Sequence, residues 1–576
     1  MQSEKVDVVV VGTGWSGLIC AKTYLDFSPN ANLILIEKAT SVGGVWNKEN
    51  IYPNLYAQIK YGQFEYSFCP MRKEGVTHDN YISGETINTY LEEFAKNYGL
   101  LNRTRFRTTV VKVLRLSDGN GWRLHLELEE KGQEEIIDCI KLIYASGCTS
   151  HPTIPSFPQS TFNIPIIHSQ QTGSYLRGDT LTSLKSITVV GGGKSAFDTV
   201  FLLLDAGKKV NWIIRPDSSG SGPLAIMSPT VLGLVNSMDV VATRFMAMLS
   251  PSIMNTKGPG YNFFHRTMLG RLFVRWFWWL VTKIAASHAG YDRSANAEKL
   301  RPFPYEDAMF WVIAGLGAAS VPNFWKVFHQ DDCTVHRMGI GELRDDKVYL
   351  QDGNVVEDTD LVVLCTGFDK SYQQFNPELQ RELGLSFEGL DDAEEKRWGK
   401  LEAEAERVVD DKFPLLRESP LGIFQEESGC HDGPSRHYRR LVVPSLAAQG
   451  DRSILFPGFV HSIYTPLVDE VQALWGVAFL LGLNETPSLM EMESEVAEWN
   501  VWTRKRYPGQ GRKHAYAIFD FFSYIDTLLR DLGVNPRRQT NILSHIFVPA
   551  YPKAYKGIQD EFKQARWAKN QKMKNM

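Results

Sequence analysis

Three glycines, Gly12, Gly14 and Gly17, fall in the spacing G-x-G-x-x-G. They stand directly after the apolar run Val6–Val11 and directly before a helical stretch that starts at Ser16. In such a turn one glycine permits the tight reversal and the second lets a pyrophosphate approach the backbone. The third lets the helix pack closely on the strand. The helix start then offers N–H groups and the positive end of its dipole to phosphate. Glu37 lies 20 residues after Gly17, at the end of the run Leu33–Ile36, where a carboxylate accepts hydrogen bonds from ribose hydroxyls. A purely structural turn has no need of that placed acid, so the chemistry expected here is the holding of a dinucleotide.

The segment Gly191-Gly192-Gly193-Lys194-Ser195-Ala196 repeats the arrangement as G-x-G-x-x-A after the run Ile187–Val190. Here Arg215 stands 19 residues after Ala196, where the first motif has its acid. A guanidinium at that place suits a 2′-phosphate and favours NADPH over NADH. The alternative is a surface arginine that merely ends a strand. Two dinucleotide motifs call for two dinucleotides, and the simplest pair is a tightly held flavin in the first site and a hydride donor in the second.

Each motif needs a strand–turn–helix–strand to position it. Val6–Val11, a helix over 16–27 and Leu33–Ile36 form one such beginning; Ile187–Val190, a helix and Val210–Ile214 form another. Between them, Val111, Val113, Leu124, Leu126 and Leu128 alternate with polar residues around the turn Ser117–Gly121, which predicts a hairpin with one wet face. Further elements are expected at Leu361–Leu364, over 467–483 and near 521–532. From 217 to about 310 this rhythm is lost in favour of aromatic residues and methionine. Residues 388–412 are densely charged and read as a solvated helix or loop.

Composition bounds the function classes. At roughly 150 residues per domain, 576 residues imply about two to four domains. With 62 basic and 66 acidic residues and a pI near 6.4, the chain lacks the basic excess of a nucleic-acid binder. Its 7 cysteines include no C-x-x-C pair, which argues against a disulfide framework or a dithiol redox centre. Cys430, His431 and His437 make no four-ligand set, so no metal is expected. Only five residues precede the first strand, without an apolar leader, so the expected location is intracellular, in the cytoplasm. The run Leu272–Ala286 is interrupted by Arg275 and Lys283 and falls short of the roughly 20 apolar residues that span a bilayer. Core or substrate-channel packing is the first reading for it, and peripheral membrane contact the second. Lys563, Arg566, Lys569 and Lys572 give the tail a basic face beside Trp567, read as solvated.

Several further segments carry a resemblance. Gly43-Gly44-Val45-Trp46 resembles the G-G-x-W of class B flavoprotein monooxygenases, the flavin-containing and Baeyer–Villiger monooxygenases. Tyr52-Pro53 and Tyr66-Ser67-Phe68 are similar to the Baeyer–Villiger branch. Ala145-Ser146-Gly147, Pro152–Pro155 and Phe162…His168-Ser169 follow the order of both branches, and Cys365-Thr366-Gly367-Phe368 resembles their A-T-G-[FY]. Glu470–Ala473 and Tyr524–Asp526 are similar to flavin-containing monooxygenases. The segments 217–300 and 370–440 lie outside the match. Two places depart from the fingerprint F-x-G-x-x-x-H and its trailing aromatic: Ile164 replaces the glycine, and Thr172 replaces the aromatic.

The resemblance implies an α/β fold of two Rossmann-like dinucleotide-binding domains, with the NADPH domain inserted into the FAD domain, plus a helical C-terminal region. The expected boundaries are 1–176 for the first part of the FAD domain, 177–354 for the NADPH domain with an apolar insertion at about 217–310, and 355–576 for the remainder. FAD would be held by Gly12, Gly14, Ser16, Gly17, Glu37, Gly44, Val45 and Trp46, and NADPH by Gly191, Gly193, Lys194, Ser195 and Arg215. The implied activity is that of an NADPH-using monooxygenase. A C4a-peroxy- or hydroperoxyflavin, shielded by retained NADP⁺, would pass one oxygen atom of O2 to substrate and the other to water. Gln58 falls where the two branches resemble an asparagine or an aspartate near the flavin. A glutamine keeps an amide donor but cannot act as a general base, so the catalytic role implied for it is neutral hydrogen bonding. The expected partners are O2 and a bulky apolar small molecule such as a natural product of secondary metabolism, and no nucleic acid. Hydroxylation, epoxidation, N- or S-oxygenation and Baeyer–Villiger oxidation all stay open. Two other classes compete: a flavin-binding protein without turnover, and an NADPH-dependent flavin reductase, which would want a nearby dithiol.

Overall fold

A computed structural model describes residues 3–574 except 78–79, 118, 130–131, 177, 217–222, 224–225, 232, 303–306, 313–322, 331, 371, 386–390 and 421–433. Two sheets organise it. The first is built on the strand Glu4–Val11, whose inner half is fully buried, as its β-branched run predicts. That strand pairs in parallel with Leu33–Ile36 on one side and with Gln133–Tyr144 on the other. The predicted hairpin, Thr108–Arg115 with Trp122–Leu128, continues the sheet in antiparallel fashion. The short strand Ile454–Leu455 returns from far along the chain to lie parallel to Leu142 and Ile143.

The second sheet is wholly parallel, in the order Ile166–His168, Leu361–Leu364, Ser186–Val190, Lys209–Ile214, Cys333–Arg337. Its central strands Ser186–Val190 and Leu361–Leu364 are buried along their whole length, which fits a sheet covered on both faces. Two of its strands, Ile166–His168 and Leu361–Leu364, lie outside the 177–354 span expected for this unit. The sheet therefore draws strands from both sides of that span.

The C-terminal region is helical. Thr465–Leu480 is buried all round and packs against helix Trp15–Phe27, so the first glycine turn and this helix form one core. Helix Asp392–Lys412 occupies the charged run and is capped by the Asp391 side chain on the Glu394 N–H. It is less solvated than expected. Trp398, Ala405 and Val409 bury one face, and Lys412–Glu498 (2.7 Å) and Lys505–Asp410 (2.6 Å) tie it to helix Leu489–Arg506.

The aromatic segment forms helix Met268–Ala289, capped at its start by Thr267 and closed by left-handed Gly290. Core packing holds for one face, with Val274, Trp278, Thr282 and Ala285 buried. It fails for the opposite face, where Leu272, Trp276 and Trp279 are exposed, because no other element of the described chain covers that stripe. Among the described residues no helix is long and apolar enough to cross a membrane.

Candidate active site

The first glycine turn is set by close approach. A Cβ on Gly17 would sit 2.0 Å from the Gly12 carbonyl oxygen, so helix Trp15–Phe27 can start against the strand only with glycine there. Gly12 itself has φ +96°, and a Cβ on it would meet the Ala145 carbonyl oxygen at 2.5 Å. Gly14 faces Gly44: a Cβ on Gly44 would lie 3.1 Å from the Gly14 Cα. The short turn Gly44–Trp46 thus folds over the first loop, with Val45 exposed and Trp46 edge-on to Phe64 at 6.2 Å.

Glu37 is buried and anchors the turn. One carboxylate oxygen accepts from the Thr13 backbone N–H (2.9 Å) and hydroxyl (2.7 Å), and the other accepts from the Ala39 N–H (3.0 Å). A carboxylate has about four acceptor positions, so capacity remains for a ribose hydroxyl.

Ser16 donates to Asp469 (2.7 Å), and Gly458 packs against the same hydroxyl. Asp469 and its neighbour Glu470 are buried in helix Thr465–Leu480. Glu470 accepts from both the N–H and the hydroxyl of Ser67, each at 2.6 Å. Burial pushes both carboxyls up to about 7, against the lowering effect of these hydroxyls. Sequence reasoning did not place Asp469 in the site. The signal available was a pair of acids inside an otherwise apolar helix.

Gln58 lies on strand Tyr56–Lys60, 8% exposed, with neither its amide nitrogen nor its oxygen bonded to any group among the described residues. A buried amide with both ends unpaired costs several kcal/mol by the usual range of about 1–3 per group, and so marks a place for a ligand or water. It borders a small pocket, lined also by Lys60, Tyr81, Met227, Ser228 and Met238. The methionines come from the apolar insertion. One wall is fixed by Asp239, which accepts from Lys60 (2.7 Å), Gln63 (3.0 Å) and Tyr551 (2.6 Å).

In the second turn Gly191 has φ +131°, and a Cβ on it would meet the Cys365 carbonyl oxygen at 2.2 Å, whereas the space above Gly193 is open. The indole N–H of Trp212 donates to the Gly191 carbonyl at 2.7 Å. Lys194 pairs with Asp198 one turn on, and the second oxygen of Asp198 is unpaired and buried. Ser195 is half-buried in the first helical turn, and Arg215 is exposed one residue past the strand end. Asn54 reaches Asp205 of the same helix at 3.0 Å, which brings the segment before Gln58 onto the second unit.

The structure thus gathers Gly12, Gly14, Ser16, Gly17, Glu37 and Gly44 around one loop, and Gly191, Gly193, Lys194 and Ser195 around another. Gln58 stands at the pocket formed with the insertion.

His168 is buried between the units. Its Nδ1 accepts from the Gln170 N–H (3.2 Å), so Nε2 carries the proton and donates to the Gly367 carbonyl (3.0 Å). Burial lowers its pKa. Thr172, four residues on, is fully buried with an unpaired hydroxyl. His437 is a core residue stacked on Phe456 and held by the Leu383 carbonyl at 2.9 Å, while Cys430 and His431 lie outside the described residues. No group of three potential metal ligands occurs among the described residues.

Residues 5–258 match the family described as flavin-binding monooxygenase-like. The chain is 47% identical to the FAD-dependent monooxygenase DEP4 of Alternaria brassicicola over 98% of its own length and 96% of that protein. It is 35% identical to the FAD-dependent monooxygenase resA of Aspergillus sclerotiorum, over 99% of both. In fold it resembles the cyclohexanone monooxygenase of Rhodococcus sp. Phi1 solved with NADP⁺, with a TM-score of 0.58, 16% identity, and 92% of this chain and 98% of that one covered. With two glycine turns, a placed acid and full-length similarity of this degree, the chain belongs to the flavin-binding monooxygenase-like family of FAD-dependent monooxygenases.

Proposed function

We propose that the chain uses NADPH to reduce its FAD and delivers one oxygen atom of O2 to a bulky apolar organic substrate, the other atom leaving as water. The balance is NADPH, a proton, O2 and substrate to NADP⁺, oxygenated substrate and water. FAD, when bound, supplies the two-electron and oxygen chemistry. The residues supply position. Gly12, Gly14 and Gly17 bring backbone N–H groups to the pyrophosphate, Glu37 takes the ribose, and Ser16, Gly44, Val45 and Trp46 close over it. Gly191, Gly193, Lys194 and Ser195 form the corresponding cradle for NADPH, with Arg215 placed for its 2′-phosphate.

The observation that carries the reading is Gln58: a buried amide with both ends unpaired, beside a small pocket to which the insertion contributes Met227 and Met238. Its amide can donate to an anionic oxygen or accept from a protonated one, and it cannot remove a proton. The methionines supply adaptable apolar contact, which supports a natural product of secondary metabolism as substrate.

The test is stopped-flow absorbance of the NADPH-reduced protein mixed with oxygenated buffer, followed by product analysis with labelled O2. A transient oxygenated-flavin band and label in the product support the reading. Direct return to oxidised flavin with stoichiometric peroxide, with and without apolar substrates, would leave a flavin-binding protein or reductase instead.

A further inference from the structure

The helix Met268–Ala289 has two faces of the same character and opposite fate. Val274, Trp278, Thr282 and Ala285 are buried, while Leu269, Leu272, Trp276 and Trp279 are 73%, 49%, 52% and 43% exposed. The exposed four fall at intervals of three, four and three residues, so they make one stripe along the helix. The stripe does not end with the helix. The Phe547 ring lies 5.2 Å from Phe245, which lies 6.2 Å from Phe264. Phe264 is 5.7 Å from Phe273, and Phe273 is 5.7 Å from Trp276. A second exposed apolar segment, with Leu543 at 63% and Phe547 at 55%, is thereby continuous with the first. Contiguous apolar surface of this kind marks a docking face.

Charge identifies the occupant. Between Asp239 and Asp292 the chain has no acidic residue, and it carries Lys257, Arg266, Arg271, Arg275 and Lys283 besides the buried Arg244. Between Asp531 and Asp560 there is again no acid, and there are four Lys or Arg residues. The whole chain is formally −4, so these two stretches run against its overall balance. Arg266 and Arg275 meet Asp411 and Glu418 of the neighbouring helix and turn, and Lys283 sits 5.9 Å from the Trp279 ring.

We propose that this face, helix Met268–Ala289 together with residues 542–548, docks in the plane of an anionic lipid bilayer. At 22 residues the helix extends about 33 Å, long enough to lie along the headgroup region with Leu and Trp inserted and the basic residues at the headgroups. Anionic lipid attracts such residues within about a Debye length, so binding weakens as salt rises.

The flavin-loaded full chain is tested by flotation with vesicles of phosphatidylcholine alone and of phosphatidylcholine mixed with phosphatidylserine. The expected result is flotation with the mixed vesicles that falls with salt. Leu272→Ser and Trp276→Ser each lower the partition by about tenfold or more, without changing flavin content or melting temperature. Lys257→Gln with Arg271→Gln weakens binding to the mixed vesicles alone. Flotation with neither vesicle overturns the proposal. So does unchanged flotation of the double variant Leu272→Ser/Trp276→Ser. If instead the wild type sediments as a dimer that this double variant dissociates, and neither floats, a second copy covers the face and the bilayer proposal fails.

Discussion

Asp469 is an acid held in an apolar helix, and among the described residues its one hydrogen-bond partner is the Ser16 hydroxyl. Its pKa is pushed up to about 7 by burial from an ordinary value of 3.8. A rise of about three units corresponds to about 4 kcal/mol of preference for the protonated form in the folded state. The sign follows from that rise. Below about pH 4 the carboxyl is protonated in both states and its stabilising contribution is full. Between about pH 4 and pH 7 the unfolded chain loses the proton first, and the contribution is lost; above about pH 7 it is gone. The replacement Asp469→Asn keeps an oxygen for Ser16 and removes the ionisation. Any packing cost of the new amide is the same at both ends of the range, so the pH difference isolates the ionisation. Denaturant unfolding, followed by tryptophan fluorescence on the flavin-loaded protein at about pH 4 and about pH 8, measures it. Relative to wild type, the variant gains about 4 kcal/mol between the two conditions. Equal slopes of stability with pH in the two proteins would refute the reasoning, since the carboxyl would then have an ordinary pKa or a counter-ion.

Three other outcomes are expected. Gly17→Ala drives a Cβ to 2.0 Å from the Gly12 oxygen, and the forced shift costs about 1–3 kcal/mol and strips the protein of flavin, read as the ratio of flavin to protein absorbance. Arg215→Gln raises KM for NADPH by about tenfold or more and leaves that for NADH unchanged, as steady-state kinetics with both donors will show. Arg244→Met removes the bidentate partner of buried Asp526 and the bond to the Tyr555 hydroxyl at 3.0 Å. It destabilises by about 3–5 kcal/mol, measured by thermal or denaturant unfolding.

The two glycine turns and their strands were legible in the sequence because local rules govern them: β-branched runs, glycine spacing, and an acid or arginine at a fixed offset. Leu33–Ile36 and Leu361–Leu364 fall where their apolar runs predict, and helix Trp15–Phe27 differs by one residue at its start. What could not be read is pairing at long range. No local pattern says that Leu361–Leu364 joins Ser186–Val190, or that Ile166–His168 crosses to the second sheet. The same limit hid Asp469, whose place beside Ser16 depends on two helices 453 residues apart in sequence meeting at their starts. The exposed stripe of Met268–Ala289 misled for a related reason: tryptophan and leucine at helical spacing on two faces look alike until tertiary packing covers one and leaves the other.

The strand Ile454–Leu455 completes the first sheet beside Leu142 and Ile143, and its position has a consequence for synthesis. About 300 residues separate the partners, which a ribosome adding roughly 5–20 residues per second delivers in roughly 15–60 s. Throughout that interval the end of Gln133–Tyr144 beyond Cys139, where Trp122–Leu128 stops pairing, has a neighbour on one side alone. The all-parallel second sheet, whose last strand ends at Leu364, is already whole. The nascent protein therefore finishes its later unit before its earlier one, and the short open stretch around Leu142 and Ile143 is where a chaperone would be needed or a wrong strand would add.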